Sequence, residues 1–319
     1  MIKDMLSYEE FKKVLTETFM DHMPEKFRGM EVSVTPVNKV NVTFDGLTIS
    51  EKGAQISPTI YINDIYERYE RYGNLEEAIM AACDIMENAY AKVPSISVNN
   101  LLDGAKDKVV FVLVNTEQNK SLLDDVPHRE FLDLSIMYRI VINKDQNGIQ
   151  STKVTNELAE RLGMNEEQLF KCAAENTKRI FPPTVKNMND VMRDLYLKSG
   201  VPEDIAEMMI GEIPPEHTAW VISNKSALNG AASMLYENEL HELAENLGSD
   251  LYILPSSVHE VLAVSAASES SEELAEMVVQ VNKEEVSLDE RLSNQVYHYD
   301  RELRRVCLAT DTHHKCLTD

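Results

Sequence analysis

The run FLDLSIMYRIVIN at 131–143 constrains the fold more than any other stretch of this chain. Its first half alternates, with Phe131, Asp133 and Ser135 set against Leu132, Leu134 and Ile136, as a strand with one covered face must; its second half is mostly apolar. Asn147–Gly148 follows closely, a pair that favours a tight hairpin, and residues 148–152 read as the returning strand. So short a connection makes the pair antiparallel, because a parallel partner needs a long crossover. The theme recurs. EVSVTPV at 31–37 and NVTFDGLTIS at 41–50 flank a turn at Val37–Asn38–Lys39, with Asp45–Gly46 as a second turn signal. LYILP at 251–255 and VHEVLAVSA at 258–266 form another pair. Helical stripes lie between these strands: Phe11, Val14, Leu15 and Phe19 behind a Ser7–Glu10 capping box, Leu75, Ala78, Ile79 and Ala82 in 75–90, and Leu274, Met277, Val278 and Val281 behind Ser270. The pattern predicts an α+β fold, mixed, with mainly antiparallel sheets and packed helices in more than one layer or module, rather than a doubly wound parallel sheet.

The chain has 319 residues, enough for two domains. Residues 1–93 read as a small N-terminal α+β module closed by Pro94, and 94–183 as a middle α+β region ending at Phe181–Pro182–Pro183. Residues 184–303 read as an acidic C-terminal α+β region, either one domain with the middle or separate from it, and 304–319 as a disordered tail. A helix is expected at 188–199, and a loop or short helix at 201–216. NELAERLG at 156–163 and HELAENLG at 241–248 are alike, but any short amphipathic helix with a glycine stop looks so, and their flanks differ.

No apolar run approaches the length of a membrane span, and MIKDMLSYEE at the start lacks a signal peptide's apolar stretch. Four cysteines do not make a disulfide framework. The expectation is a soluble, cytoplasmic, reduced protein. Asp and Glu number 54 against 31 Lys and Arg, a net charge of −23, and residues 201–319 alone carry 23 acidic and 7 basic residues, a net −16. Such a surface repels phosphate backbones and anionic lipid heads, so nucleic acid and membrane are excluded as partners. The nearest basic cluster, Arg301, Arg304 and Arg305, sits within the acidic region. The acidity serves solubility on the plainer reading and a basic partner or a cation on the sharper one. A protein or a small polar ligand is the expected partner, and the oligomeric state is left open.

Two polar clusters are candidate sites. The first is Pro255–Ser256–Ser257–Val258–His259–Glu260, between apolar strands. Ser256 or Ser257 as nucleophile and His259 as base would make a hydrolase-like site, with Glu130, Asp133 or a carboxylate of the acidic third orienting the imidazole. No Gly-x-Ser-x-Gly elbow surrounds either serine, and the plainer reading has both hydroxyls satisfying backbone groups. The second is His128, Arg129 and Glu130, with Asp125 nearby: a site for an anionic or polar ligand, or a hydrated turn with local ion pairs. No metal is expected. Neither His128 nor His259 opens a His-Glu-x-x-His pattern, and Cys307, His313, His314 and Cys316 lack a paired Cys-x-x-Cys. No cofactor is expected either, since Gly-x-Gly-x-x-Gly and Gly-x-x-x-x-Gly-Lys-Ser/Thr are absent. Cys83 and Cys172 lie on helix stripes and read as core. The residues favour a non-enzymatic binding or regulatory protein, with the hydrolase-like enzyme as the alternative.

DGLTISEKGAQISPTIYINDIYERY, PHREFLDLSIMYRIVI, WVISNKSALNGAASMLY and LYILPSSVHEVLAV together resemble a family from anaerobic gut Firmicutes known only as a domain of unknown function. A looser similarity to the YtpQ-like proteins of Bacillus-type bacteria rests on the order of elements. The resemblance implies a bacterial, intracellular protein and carries over no catalytic residue.

Overall fold

The structure is a computed structural model that describes residues 5–52, 57–91, 103–145, 148–211 and 218–309. It has an α+β fold with three sheets, and every strand pairing among the described residues is antiparallel. The chain divides into two compact units, Met1–Asp103 and Gly104–Asp319. Among the described residues no helix is long and apolar enough to cross a membrane.

In the first unit, α1 (Tyr8–His22) starts at the expected capping box: the Glu10 carboxylate accepts from Ser7 N at 2.9 Å and Ser7 Oγ at 2.7 Å. Its buried face is Phe11, Leu15 and Phe19, one residue per turn. It packs with α2 (Ile62–Tyr72) and α3 (Leu75–Ala91) on the sheet β1 (Glu31–Lys39), β2 (Val42–Ser50) and β3 (Thr59–Tyr61). Asp45–Gly46 is not a turn but lies within β2; the chain reverses at Asn41, whose φ is +59°. Gly46 serves a close approach instead. A Cβ there would meet Val37 Cγ2 at 2.6 Å and Thr59 Cγ2 at 2.7 Å, from both neighbouring strands. Cys83 is buried in this core, where burial pushes its thiol up to about 11. Pro94 lies outside the described residues.

The second unit holds two sheets. In one, β6 (Leu134–Asp145) lies between β4 (Val109–Asn115) on one side and β5 (His128–Phe131) and β7 (Gly148–Lys153) on the other. The 131–143 run is thus not a single strand. A two-residue turn at Leu132–Asp133, with Leu132 at φ +56°, splits it into the β5–β6 hairpin. Alternation conceals that turn, because Leu132 keeps the apolar beat while standing outside the ladder. α4 (Asn156–Leu162) ends at Gly163 in the left-handed region, as its sequence predicts. α5 (Glu166–Ile180) covers β4, whose residues are all buried; Asn176 Nδ2 donates to Val109 O at 3.0 Å, and Thr177 Oγ1 accepts from Phe111 N at 3.0 Å.

The second sheet runs in the order β13–β12–β10–β11–β9–β8: Arg305–Leu308, Tyr297–Asp300, Leu251–Leu254, Val261–Ser265, Trp220–Asn224 and Pro183–Asn187. Residues 305–308 are therefore a paired strand rather than tail, and 310–319 lie outside the described residues. One face carries the fully buried Leu251, Ile253, Tyr297 and Tyr299. The other packs Leu254 and Val264 against Leu274 and Val278 of a helix at Ser271–Glu284. Between β8 and β9 come α6 (Met188–Lys198) and α7 (Glu203–Ile210), and α8 (Glu237–Leu247) precedes β10; the 271–284 helix is α9.

Candidate functional site

The residues nominated by sequence fall into three surroundings. Ser257 and His259 would share a face only on one strand, but β11 starts at Val261, and both lie in the turn before it. Ser257 Oγ accepts from His259 N at 3.0 Å, and Ser223 Oγ donates to His259 O at 2.8 Å. The His259 ring accepts at Nδ1 from Asn229 N at 3.3 Å, so its Nε2 carries the hydrogen that faces Glu290 Oε1 at 3.3 Å. Both nitrogens are thus engaged by groups other than a serine hydroxyl. The carboxylate beside this imidazole is Glu290, and the other side of the ring is closed by backbone. Ser256, half-buried, binds through its carbonyl, which accepts from Leu292 N at 3.0 Å. Glu260 is raised above the usual carboxylate range by burial, with His259 opposing the shift.

Gly230 sets this closure. A Cβ on it would stand 2.1 Å from Ser223 Oγ, 2.4 Å from His259 O and 2.9 Å from Asn224 N. With Asn229 at φ +50°, the Asn229–Gly230 turn lays backbone directly against the His259 turn.

β5 divides the second candidate. Successive strand residues face opposite ways, so Arg129 points away from His128 and Glu130. His128 Nδ1 donates to Val126 O at 3.0 Å, and Glu130 is exposed. Arg129 binds Glu166, the first residue of α5, in a two-pronged pair at 3.0 and 2.8 Å, and lies 4.0 Å over the Phe170 ring. The buried Tyr138 also donates to Glu166. Burial alone would raise the Glu166 carboxyl, but the hydrogen bonds from Arg129 and Tyr138 outweigh it and hold the group below its usual range.

The third setting centres on Asp133, which the sequence offered only as an orienter for His259 and whose actual partners no local pattern reports. Asp133, at the tip of the β5–β6 hairpin, accepts from Ser293 Oγ at 2.6 Å and from Tyr297 OH at 2.5 Å. Burial, then the facing carboxylate, pushes the Tyr297 phenol well above its usual value, so it remains a donor. Asn115 Nδ2, at the end of β4, donates to Leu292 O at 3.0 Å. The segment 287–296 thereby ties the two sheets of this unit together. It also holds the first candidate: Arg291 bridges to Ser257, Ser293 N donates to Pro255 O at 2.8 Å, and Asn282 Nδ2 of α9 donates to Ser293 O at 2.8 Å. Beside this tie lies a cleft of about 260 Å³, lined by Asn115, Glu117, Gln118, Asp133 and residues 291–295. Its walls offer amides, carboxylates and a guanidinium, groups that can both donate and accept.

Among the described residues no group of three or more His, Cys, Asp and Glu side chains could hold a metal ion. Cys307 sits on β13, and His313, His314 and Cys316 lie outside the described residues. Cys83 is buried and Cys172 half-buried on its helix. No curated protein and no solved structure matches the chain. Residues 8–301 match the family of unknown function DUF5688, a span that takes in α1, all three sheets as far as β12, and the whole Asp133 tie, so the chain belongs to that family.

Proposed function

We propose that this is a non-enzymatic binding or regulatory protein that takes a small polar ligand in the cleft beside Asp133. The observation that carries the reading is the cleft's construction. Its polar walls come from the end of β4 and the turn after it, the β5–β6 hairpin tip and the 291–295 segment, and are fixed by hydrogen bonds between residues more than 150 positions apart in sequence, Asn115 to Leu292 and Asp133 to Ser293 and Tyr297. A site held in place before the ligand arrives loses little ordering entropy on binding. Asp133 spends both oxygens on the tie, so recognition falls to the rim, where Gln118, Asn294 and Gln295 are exposed. The partner in this reading is a small polar molecule rather than nucleic acid or membrane, in keeping with the net charge of −23. The setting is a bacterial cytoplasm, as the resemblance to gut-Firmicutes proteins and the looser likeness to YtpQ-like proteins imply. The hydrolase reading at Ser256, Ser257 and His259 draws no support from the geometry, because the imidazole is engaged on both sides.

A thermal-shift screen against amino acids, small carboxylates, amines and monosaccharides tests the proposal. At least one class should raise the melting temperature of the wild type. The rise should vanish in Gln118→Ala combined with Gln295→Ala, whose own melting temperature stays within a few degrees of wild type. A rise that the double variant retains would place the ligand elsewhere and defeat the reading.

A further inference from the structure

α6 and α7 form a helical hairpin that leaves an unusual amount of apolar side chain facing water. Ile205, Met208 and Met209 follow the i, i+3, i+4 spacing that places them on one face of α7, and they are 39%, 74% and 54% exposed. Leu195 of α6 is 62% exposed, and no residue of α6 is fully buried. A groove of about 430 Å³ runs along the hairpin, lined by Asn189, Arg193, Glu207, Met208, Ile210 and Gly211. Isolated exposed apolar residues need no explanation, but a contiguous stripe beside a groove marks an interaction surface.

Charge decides what fits. Glu203, Asp204 and Glu207 flank the stripe, and residues 199–211 contain no Lys, Arg or His. Arg193, the cation lining the groove, pairs with Asp190 at 3.0 Å and stands 4.0 Å from Glu207. A second copy of the chain would bring carboxylates against carboxylates, and an anionic lipid surface would be repelled by the same groups. Methionine side chains are unbranched and polarisable, so a stripe built on them adapts to differently shaped apolar partners. We propose that the α6–α7 hairpin is a docking surface for a basic amphipathic helix of a partner protein. The partner's apolar face lies on Ile205, Met208 and Met209 while its Lys and Arg side chains meet the flanking carboxylates. This surface is separate from the Asp133 cleft and does not depend on it.

Fluorescence anisotropy with a labelled model peptide of Leu and Lys, patterned as an amphipathic helix, tests the proposal on the full chain. Controls are a scrambled peptide of the same composition and one with Glu in place of Lys. The amphipathic basic peptide should bind at least about tenfold more tightly than either control. Met208→Ser with Met209→Ser should weaken binding about tenfold. Glu203→Gln with Asp204→Asn should weaken it and flatten its salt dependence. All four side chains are exposed, so unchanged melting temperatures exclude misfolding as the cause. Equal binding of the scrambled peptide, or binding indifferent to the Met variants, would reduce the effect to general attraction by an acidic chain and overturn the proposal. A wild-type dimer in light scattering that becomes a monomer in the Met variant would overturn it in favour of a second copy.

Discussion

Gly230 shows how one residue governs the neighbourhood that sequence analysis flagged as chemistry. Any side chain there collides with His259 O and Asn224 N, both backbone atoms that cannot step aside. Gly230→Ala should therefore cost roughly 2–3 kcal/mol, read as a shift in denaturant midpoint without a change in slope. Glu166 offers a second residue-scale test. Its pKa is depressed in the folded state, so the stability it adds is complete above the unfolded carboxylate's titration and is lost as pH falls through the folded value. Glu166→Gln should be less stable than wild type by about 1 kcal/mol at pH 7, a figure discounted for the water-facing third of the pair. The gap should close toward zero in acid, followed by urea unfolding at the two pH values. The sequence named Ser257, His259 and Arg129 for their residue types, and type alone was legible. Where each points was not, because it depends on β11 starting at Val261 and on β5 being a strand rather than a turn.

At the scale of elements, the helices were the most readable part. The Ser7–Glu10 box, the Phe11–Leu15–Phe19 stripe and the Gly163 stop all appear where composition and spacing put them. The hairpin turn at Leu132–Asp133 was masked by unbroken alternation. The 287–296 segment was opaque for another reason: SLDERLSNQV has no period, and its partners Asn115 and Asp133 lie at sequence distances no local pattern reports. Its importance can be measured. Ser293→Ala and Tyr297→Phe each remove one of the two donors to Asp133, and each should cost about 1–3 kcal/mol. The double variant, which leaves the half-buried Asp133 carboxylate without either hydroxyl, should depart from additivity by 0.5 kcal/mol or more on the scale of coupled neighbours, about the least a double-mutant cycle resolves. Strict additivity would mean that the two hydroxyls do not act on one group.

Over the whole molecule, fold class was legible and function was not. Short connections between strand-like runs forced antiparallel pairing, and all the described sheets are antiparallel. The acidity was equally plain, with a net −16 over residues 201–319. A cleft assembled from β4, a hairpin tip and a segment following α9 leaves no motif, since its residues are ordinary amides and carboxylates scattered over 115–295. The central claim, that the protein works by binding a small polar molecule beside Asp133, is tested most directly by amide chemical-shift mapping of the deuterated chain during titration with the ligand that stabilises it. Perturbations are expected at Gln118, Asp133 and Ser293–Gln295, saturating together. Perturbations centred on Ser256–Glu260 instead would contradict it and return the Ser257–His259 turn to first place.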